Sequence, residues 1–139
     1  MSLFSTIRKS KPKQKAFKSG KRSDLGDIHF RSGWEANYLR YLKFLQKQGL
    51  IYKFEYEPDT FWFNEIKRGV RSYLPDFKVW DKPGKEPYYI ELKGYMDSKS
   101  RTKIKRFNKY YPHIRLDVVQ AKQYNEIKAK LSKIIPYWE

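Results

Sequence analysis

Two carboxylates and an ammonium sit inside two otherwise apolar segments in the middle of the chain. Asp76 lies in Leu74-Pro75-Asp76-Phe77, and Glu91 and Lys93 lie in Ile90-Glu91-Leu92-Lys93-Gly94. Side chains alternate across a β-strand, so Glu91 and Lys93 project from one side while Ile90 and Leu92 pack the other. If the two segments pair as an antiparallel hairpin, Asp76 comes close to Glu91. Burying two carboxylates and a lysine among apolar residues is costly unless something compensates them. A divalent metal would do so. Asp76, Glu91 and the backbone carbonyl of Leu92 are hard oxygen donors suited to Mg²⁺, with Mn²⁺ as a substitute. Such an ion polarises a phosphoryl oxygen and makes water a better nucleophile. Lys93 would orient or deprotonate that water and offset charge developing on the phosphate. A plain cross-strand ion pair between Glu91 and Lys93 at a sheet edge fits the spacing equally well.

Composition narrows the chemistry. The chain of 139 residues has no Cys and 2 His. Disulfide frameworks, thiolate zinc sites and Cys nucleophiles are thereby excluded, and imidazole clusters and Ser/His triads are disfavoured. Catalysis must come from carboxylates and lysines. Basic residues number 31 against 15 acidic ones, a formal net charge of +16. A surplus of that size calls for a polyanionic partner, and DNA is the first expectation because phosphate contacts release condensed counterions. An anionic membrane is the competitor, but no segment carries the broad apolar helix face or the long apolar run that a membrane requires. A soluble cytoplasmic protein of one domain is expected.

The elements that must position these residues follow from periodicity. Residues 1–27 form a basic arm with Arg8, Lys9, Lys11, Lys13, Lys15, Lys18, Lys21 and Arg22, expected to be disordered until DNA or a partner subunit binds. Residues 28–139 form the domain. A helix starts at Ser32, with an apolar stripe of Trp34, Tyr38, Tyr41, Leu42 and Leu45, and stops at Gly49. Three strands follow: Leu50 to Phe63, interrupted at Pro58-Asp59, then Val70 to Trp80, then Tyr88 to Lys93. A second helix runs from about Ser98 to Tyr110, opened by Asp97 or Ser98 and closed before Pro112. Ile114 to Gln120 is a fourth strand and Gln123 to Ile134 a last helix, with Ile127, Leu131 and Ile134 inward. A meander followed by a βαβ crossover gives an α/β fold with a mixed sheet flanked by helices.

The second helix is crowded with Lys99, Arg101, Lys103, Lys105, Arg106 and Lys109, with almost no balancing acid. Ile104, Phe107 and Tyr111 would anchor it, leaving a cationic face to track a phosphate backbone toward Asp76 and Glu91. Arg31 is a further candidate phosphate contact. Trp62, Trp80 and Trp138 read as packing residues, His29 and His113 as surface residues. Glu55 and Glu57 read as the polar face of a half-buried strand.

Asp76, 14 intervening residues and then Glu91-Leu92-Lys93 resemble the PD-(D/E)XK nuclease pattern. The expected α-β-β-β-α-β order is also similar to the restriction-endonuclease-like core of that superfamily. Phe30-Arg31-Ser32-Gly33-Trp34-Glu35 and Phe54-Glu55-Tyr56-Glu57 resemble segments of the phage endonuclease I family of Holliday-junction resolvases. The likeness covers roughly Phe30 to Gly94. It implies Asp76 and Glu91 as metal ligands, Lys93 as the water-positioning base and Glu35 as a further acidic residue from the first helix. It also implies a 5′-phosphate product, branched DNA as substrate and a homodimer that cuts two strands symmetrically. Ser32-x-x-Glu35 is equally a capping box, in which the glutamate would bond back to the helix N-cap. A nicking, restriction-like or transposon-end endonuclease with the same core, and a non-catalytic DNA-binding module, are the alternative functions.

Overall fold

The computed structural model describes residues 19–139. The first 18 residues of the expected basic arm lie outside the described residues. Its last nine pack onto the domain: Leu25 joins the main core, Gly20 bridges Phe30 in antiparallel fashion, and Arg22 pairs with Glu139. One buried leucine and one tethered arginine are enough to hold a segment whose composition reads as arm.

Helix α1 (Gly33–Lys47) is capped by Ser32, whose hydroxyl accepts from the Glu35 amide at 3.3 Å. Its apolar stripe faces the sheet as expected, with Tyr38 and Leu42 buried and Trp34, Tyr41 and Leu45 partly so. Gly49, at φ 74, supplies the left-handed turn after the helix end.

Each of the first two expected strands is broken in two. Leu50 to Phe63 becomes β1 (Lys53–Tyr56) and β2 (Phe61–Trp62), and Val70 to Trp80 becomes β3 (Ser72–Tyr73) and β4 (Phe77–Trp80). Pro58 and Pro75 lie at the breaks, where the missing N–H cannot serve a ladder. Strand β5 (Tyr88–Lys93), helix α2 (Ser98–Tyr110), strand β6 (Leu116–Gln120) and helix α3 (Ala121–Leu131) complete the chain. Asp97 caps α2, accepting from the Ser100 amide at 2.7 Å. Helix α3 follows β6 without a loop, opened by a reciprocal Gln120–Gln123 capping box. Ile134 falls beyond that helix and is exposed, while Ile135 takes the inward position. The one-residue change of phase comes from the turn that replaces the expected last helical residues.

The main sheet has the order β1-β4-β5-β6, antiparallel except for the parallel β5–β6 pair joined through α2. This is the mixed α/β sheet with three helices that the periodicity called for. Strands β2 and β3 form a separate two-stranded hairpin. Helices α1 and α3 cover one sheet face, with Ile90, Leu92, Phe77 and Val119 in the shared core and Trp34 stacked on Tyr124 at 3.9 Å. The hairpin and α2 meet in a second cluster of Phe63, Tyr73 and Phe107, with Leu116 of β6 packed against it. No helix among the described residues is long and apolar enough to cross a membrane.

Candidate active site

The alternation on β5 sends Ile90 and Leu92 into the α1 core and leaves Glu91 and Lys93 on the opposite face. The β4–β5 ladder pairs Phe77 with Ile90, and continuing that register by one residue sets Asp76 opposite Glu91. Both carboxylates are buried, at 4% and 7% exposure. They line one cavity of about 260 Å³ together with Arg31, Glu35, Tyr73, Leu92, Lys93 and Lys103. The convergence expected of Asp76, Glu91 and Lys93 is therefore present, and Glu35 of α1 joins them.

Each acid is held by a specific donor. The Leu92 amide donates to Asp76 Oδ2 at 2.7 Å, leaving Oδ1 turned toward Arg31 Nη2 at 3.3 Å. The Tyr73 hydroxyl donates to Glu91 Oε2 at 2.7 Å, and Lys93 Nζ lies 3.8 Å from Glu91 Oε1. Tyr56 donates to Glu35 Oε2 at 2.6 Å. Glu35 does not close the capping box on Ser32; its carboxylate instead accepts from the Arg31 amide at 3.4 Å. Its amide donates to the Ser32 cap, and its carboxylate lines the cavity while engaged by Tyr56 and Arg31.

The electrostatics follow from this crowding. Burial first, and then the neighbouring Glu91 charge, push the Asp76 carboxyl well above the usual carboxylate range. Burial likewise raises Glu91, against the Tyr73 hydrogen bond and the positive charge of Lys93. Burial and Glu91 raise Tyr73, so its hydroxyl stays protonated and can only donate to that carboxylate. Burial would lower Arg31, but Glu35, Glu57 and Asp76 together hold its guanidinium above its ordinary value.

The cationic residues divide. Lys103 reaches the cavity, and Lys99, Arg101, Lys105 and Lys109 stay exposed along α2. Arg106 is turned into the protein, where it donates to the Val70 carbonyl at 2.5 Å and ties α2 to the β2–β3 hairpin. Trp62 is 58% exposed on the outer side of that hairpin, not packed, because the hairpin is detached from the sheet that would have covered it. Sequence reasoning missed Tyr73, Tyr56 and Glu57. Glu57 adopts a left-handed backbone at φ 46, donates its amide to the Asp76 carbonyl at 2.8 Å, and pairs with Arg31. The only trace of Tyr73 in the sequence was its place three residues before Asp76.

A family model for proteins of unknown function, DUF1064, matches residues 14–126. The chain belongs to the DUF1064 family. No curated protein and no solved structure matches it. In this DUF1064 protein all six acidic and basic residues that line the cavity, Arg31, Glu35, Asp76, Glu91, Lys93 and Lys103, fall inside the matched span.

The donor set can be tested against a metal. Among the described residues no three carboxylate or imidazole side chains close into a ready-made cage. Of the three buried carboxylates that line the cavity, Asp76 and Glu91 stand side by side on adjacent strands, with Leu92 beside them. That is the provision Mg²⁺ needs when substrate phosphate and water complete its shell, since it is usually held by one or two carboxylates. The residues fit such an ion and do not fit a closed structural site.

Proposed function

We propose that this protein is a divalent-metal-dependent endodeoxyribonuclease with a restriction-endonuclease-like core, acting on branched DNA such as four-way junctions as a homodimer. The observation that carries the reading is the burial of Asp76 and Glu91 side by side, both raised above the usual carboxylate range, with Lys93 beside them. Two like charges buried side by side are an expensive arrangement unless a cation joins them. Strongly perturbed acids in a cleft mark functional sites more often than scaffolding.

Asp76, Glu91 and the Leu92 carbonyl would hold Mg²⁺ or Mn²⁺. When bound, the ion supplies Lewis-acid polarisation of the scissile phosphate and neutralises charge there. The chain's own residues do the rest. Lys93 Nζ, on the same strand face as Glu91, orients the attacking water and takes up part of the charge as a proton leaves it. Water oxygen bonds to phosphorus, the bond from phosphorus to the 3′ oxygen breaks, and a 5′-phosphate and a 3′-hydroxyl result. Tyr73 fixes the Glu91 carboxylate by donation, and Tyr56 does the same for Glu35. Lys103 at the cavity and the exposed lysines of α2 lie where a phosphate backbone would approach.

The test compares a four-way junction with a linear duplex of matching sequence in Mg²⁺ and in Mn²⁺. Wild type should cut the junction, and Lys93→Ala should lose roughly 10²- to 10⁴-fold in rate while still binding the junction in Ca²⁺. Equal cutting of both substrates would remove the junction preference. No cleavage of either DNA by wild type would remove the nuclease.

A further inference from the structure

Arg31 occupies an unusual place for an exposed cation. It precedes the α1 N-cap, so its backbone is fixed, yet its side chain is 62% exposed. The guanidinium nevertheless reaches carboxylates on three different segments. Nε lies 3.4 Å from Glu35 Oε1, and Nη2 meets both Asp76 Oδ1, at 3.3 Å, and Glu57. Asp76 has two oxygens, and Oδ2 is already taken by the Leu92 amide. Arg31 therefore sits against the Asp76 oxygen that accepts no backbone hydrogen bond, the more open of the two to another cation.

We infer that Arg31 is an internal counter-cation that a divalent metal must displace from Asp76, and that the released guanidinium is then passed to a DNA phosphate. This rests on the metal-dependent reading above. A guanidinium fork matches phosphate oxygens better than an ammonium does. Glu57, held in its left-handed backbone by the Asp76 carbonyl, keeps the guanidinium at the cavity mouth and not in bulk solvent. Metal and DNA then favour each other. Metal at Asp76 frees Arg31 for phosphate, and phosphate draws Arg31 away from the metal's oxygen. Linkage makes that coupling reciprocal.

The experiment is calorimetric titration of Mn²⁺ into the full-length, DNA-free protein, with wild type, Arg31→Ala and Lys103→Ala. Lys103→Ala removes the same charge from the same cavity but has no Asp76 contact. Arg31→Gln serves as a second variant that keeps a polar stem should the alanine form fold poorly. Arg31→Ala should bind Mn²⁺ about tenfold more tightly than wild type, within the usual range of coupling between sites. Lys103→Ala should move it by about twofold, the size of an exposed charge effect. Junction affinity should also improve with Ca²⁺ in wild type and lose most of that improvement in Arg31→Ala. Equal tightening by the two variants would reduce the effect to bulk charge and overturn the exchange. Unchanged or weaker Mn²⁺ binding by Arg31→Ala overturns it too, leaving the metal site standing. Absence of Mn²⁺ binding by wild type and Arg31→Ala alike would take down the exchange and the metal site together.

Discussion

Replacing Asp76 by Asn should make the metal-free protein more stable while abolishing the proposed DNA cleavage. The amide keeps an oxygen for the Leu92 amide, now bonded at 2.7 Å. What is lost is the 3.3 Å contact with Arg31, a largely exposed partner, so the loss is about 0.2–1 kcal/mol. What is removed is a nearly inaccessible negative charge facing Glu91. A buried charge costs several kcal/mol, less what the Leu92 amide and Arg31 return to it. The balance is a gain of about 1–2 kcal/mol at neutral pH, or roughly 3–8 °C in Tm for a domain of this size. The pH dependence has a definite sign. Asp76 and Glu91 are both raised in the fold, so between the ordinary carboxylate range and their raised values the native state binds more protons than the unfolded one. Their contribution to stability therefore falls as pH rises through that window, and Asp76→Asn should flatten the fall. Saturating metal should reverse the ranking: wild type gains about 2.7 kcal/mol at a hundred times Kd, and the variant little. Differential scanning calorimetry from pH 5 to 8, with and without Ca²⁺, reads all three effects. An Asp76→Asn protein that melts below wild type without metal, or that gains as much from Ca²⁺, would refute the reasoning.

Two further outcomes follow from other parts of the molecule. Glu139 accepts from Arg22 and from Arg40, whose side chains are almost wholly buried. Against burial, which would raise it, those hydrogen bonds hold the Glu139 carboxyl below its ordinary value. Its stabilisation is thus present above the unfolded pKa and lost as pH falls through the folded one. Glu139→Gln should cost about 1–2 kcal/mol at pH 7, less than the 3–5 of a fully enclosed pair. In urea titrations the difference from wild type should shrink toward pH 3, and a constant difference would argue against the charge as its source. On α2, the triple change of Lys99, Arg101 and Lys105 to Ala should weaken junction and duplex binding alike. The slope of log affinity against log salt should flatten by up to about 2.7, from about 0.9 per phosphate contact. An unchanged slope would mean that this helix face does not meet DNA.

The helices and the core strand β5 were legible because each is governed by neighbours in sequence. Ser32 and Asp97 cap where they stand, Gly49 stops α1, and Ile90 to Lys93 alternates apolar with charged residues. The break at Pro58-Asp59 was legible too, but the break at Pro75 and the departure of β2 and β3 into a sheet of their own were not. A proline announces that one N–H is missing, but whether the chain resumes in the same sheet depends on what covers it. Here Phe61 and Tyr73 find Phe107 and Tyr111 of α2, and that distant aromatic cluster pulls the hairpin out of the main sheet. The same cause exposed Trp62. The fate of residues 19–27 turned on contacts to the far end of the chain, Arg22 with Glu139, which no local pattern encodes.

The cavity shows the same division at finer grain. Asp76, Glu91 and Lys93 were found because strand alternation and one register fix their meeting. The groups that act on the two carboxylates come from elsewhere: Tyr73 from the hairpin, Arg31 from before α1 and Lys103 from α2. In sequence each of these has an ordinary alternative, as a core aromatic or a solvated cation. Only their convergence distinguishes a site from a scaffold. Had the two buried acids been partnered by a cation as enclosed as themselves, they would read as a structural pair. Instead the nearest charges, Arg31 and Lys93, lie at the open mouth, 62% and 30% exposed. Cations that remain hydrated cannot fully compensate acids that are not. The deficit lies at the wall of the cavity where a phosphate with its metal would enter, and it is this uneven desolvation, more than the spacing of three residues, that argues for a ligand.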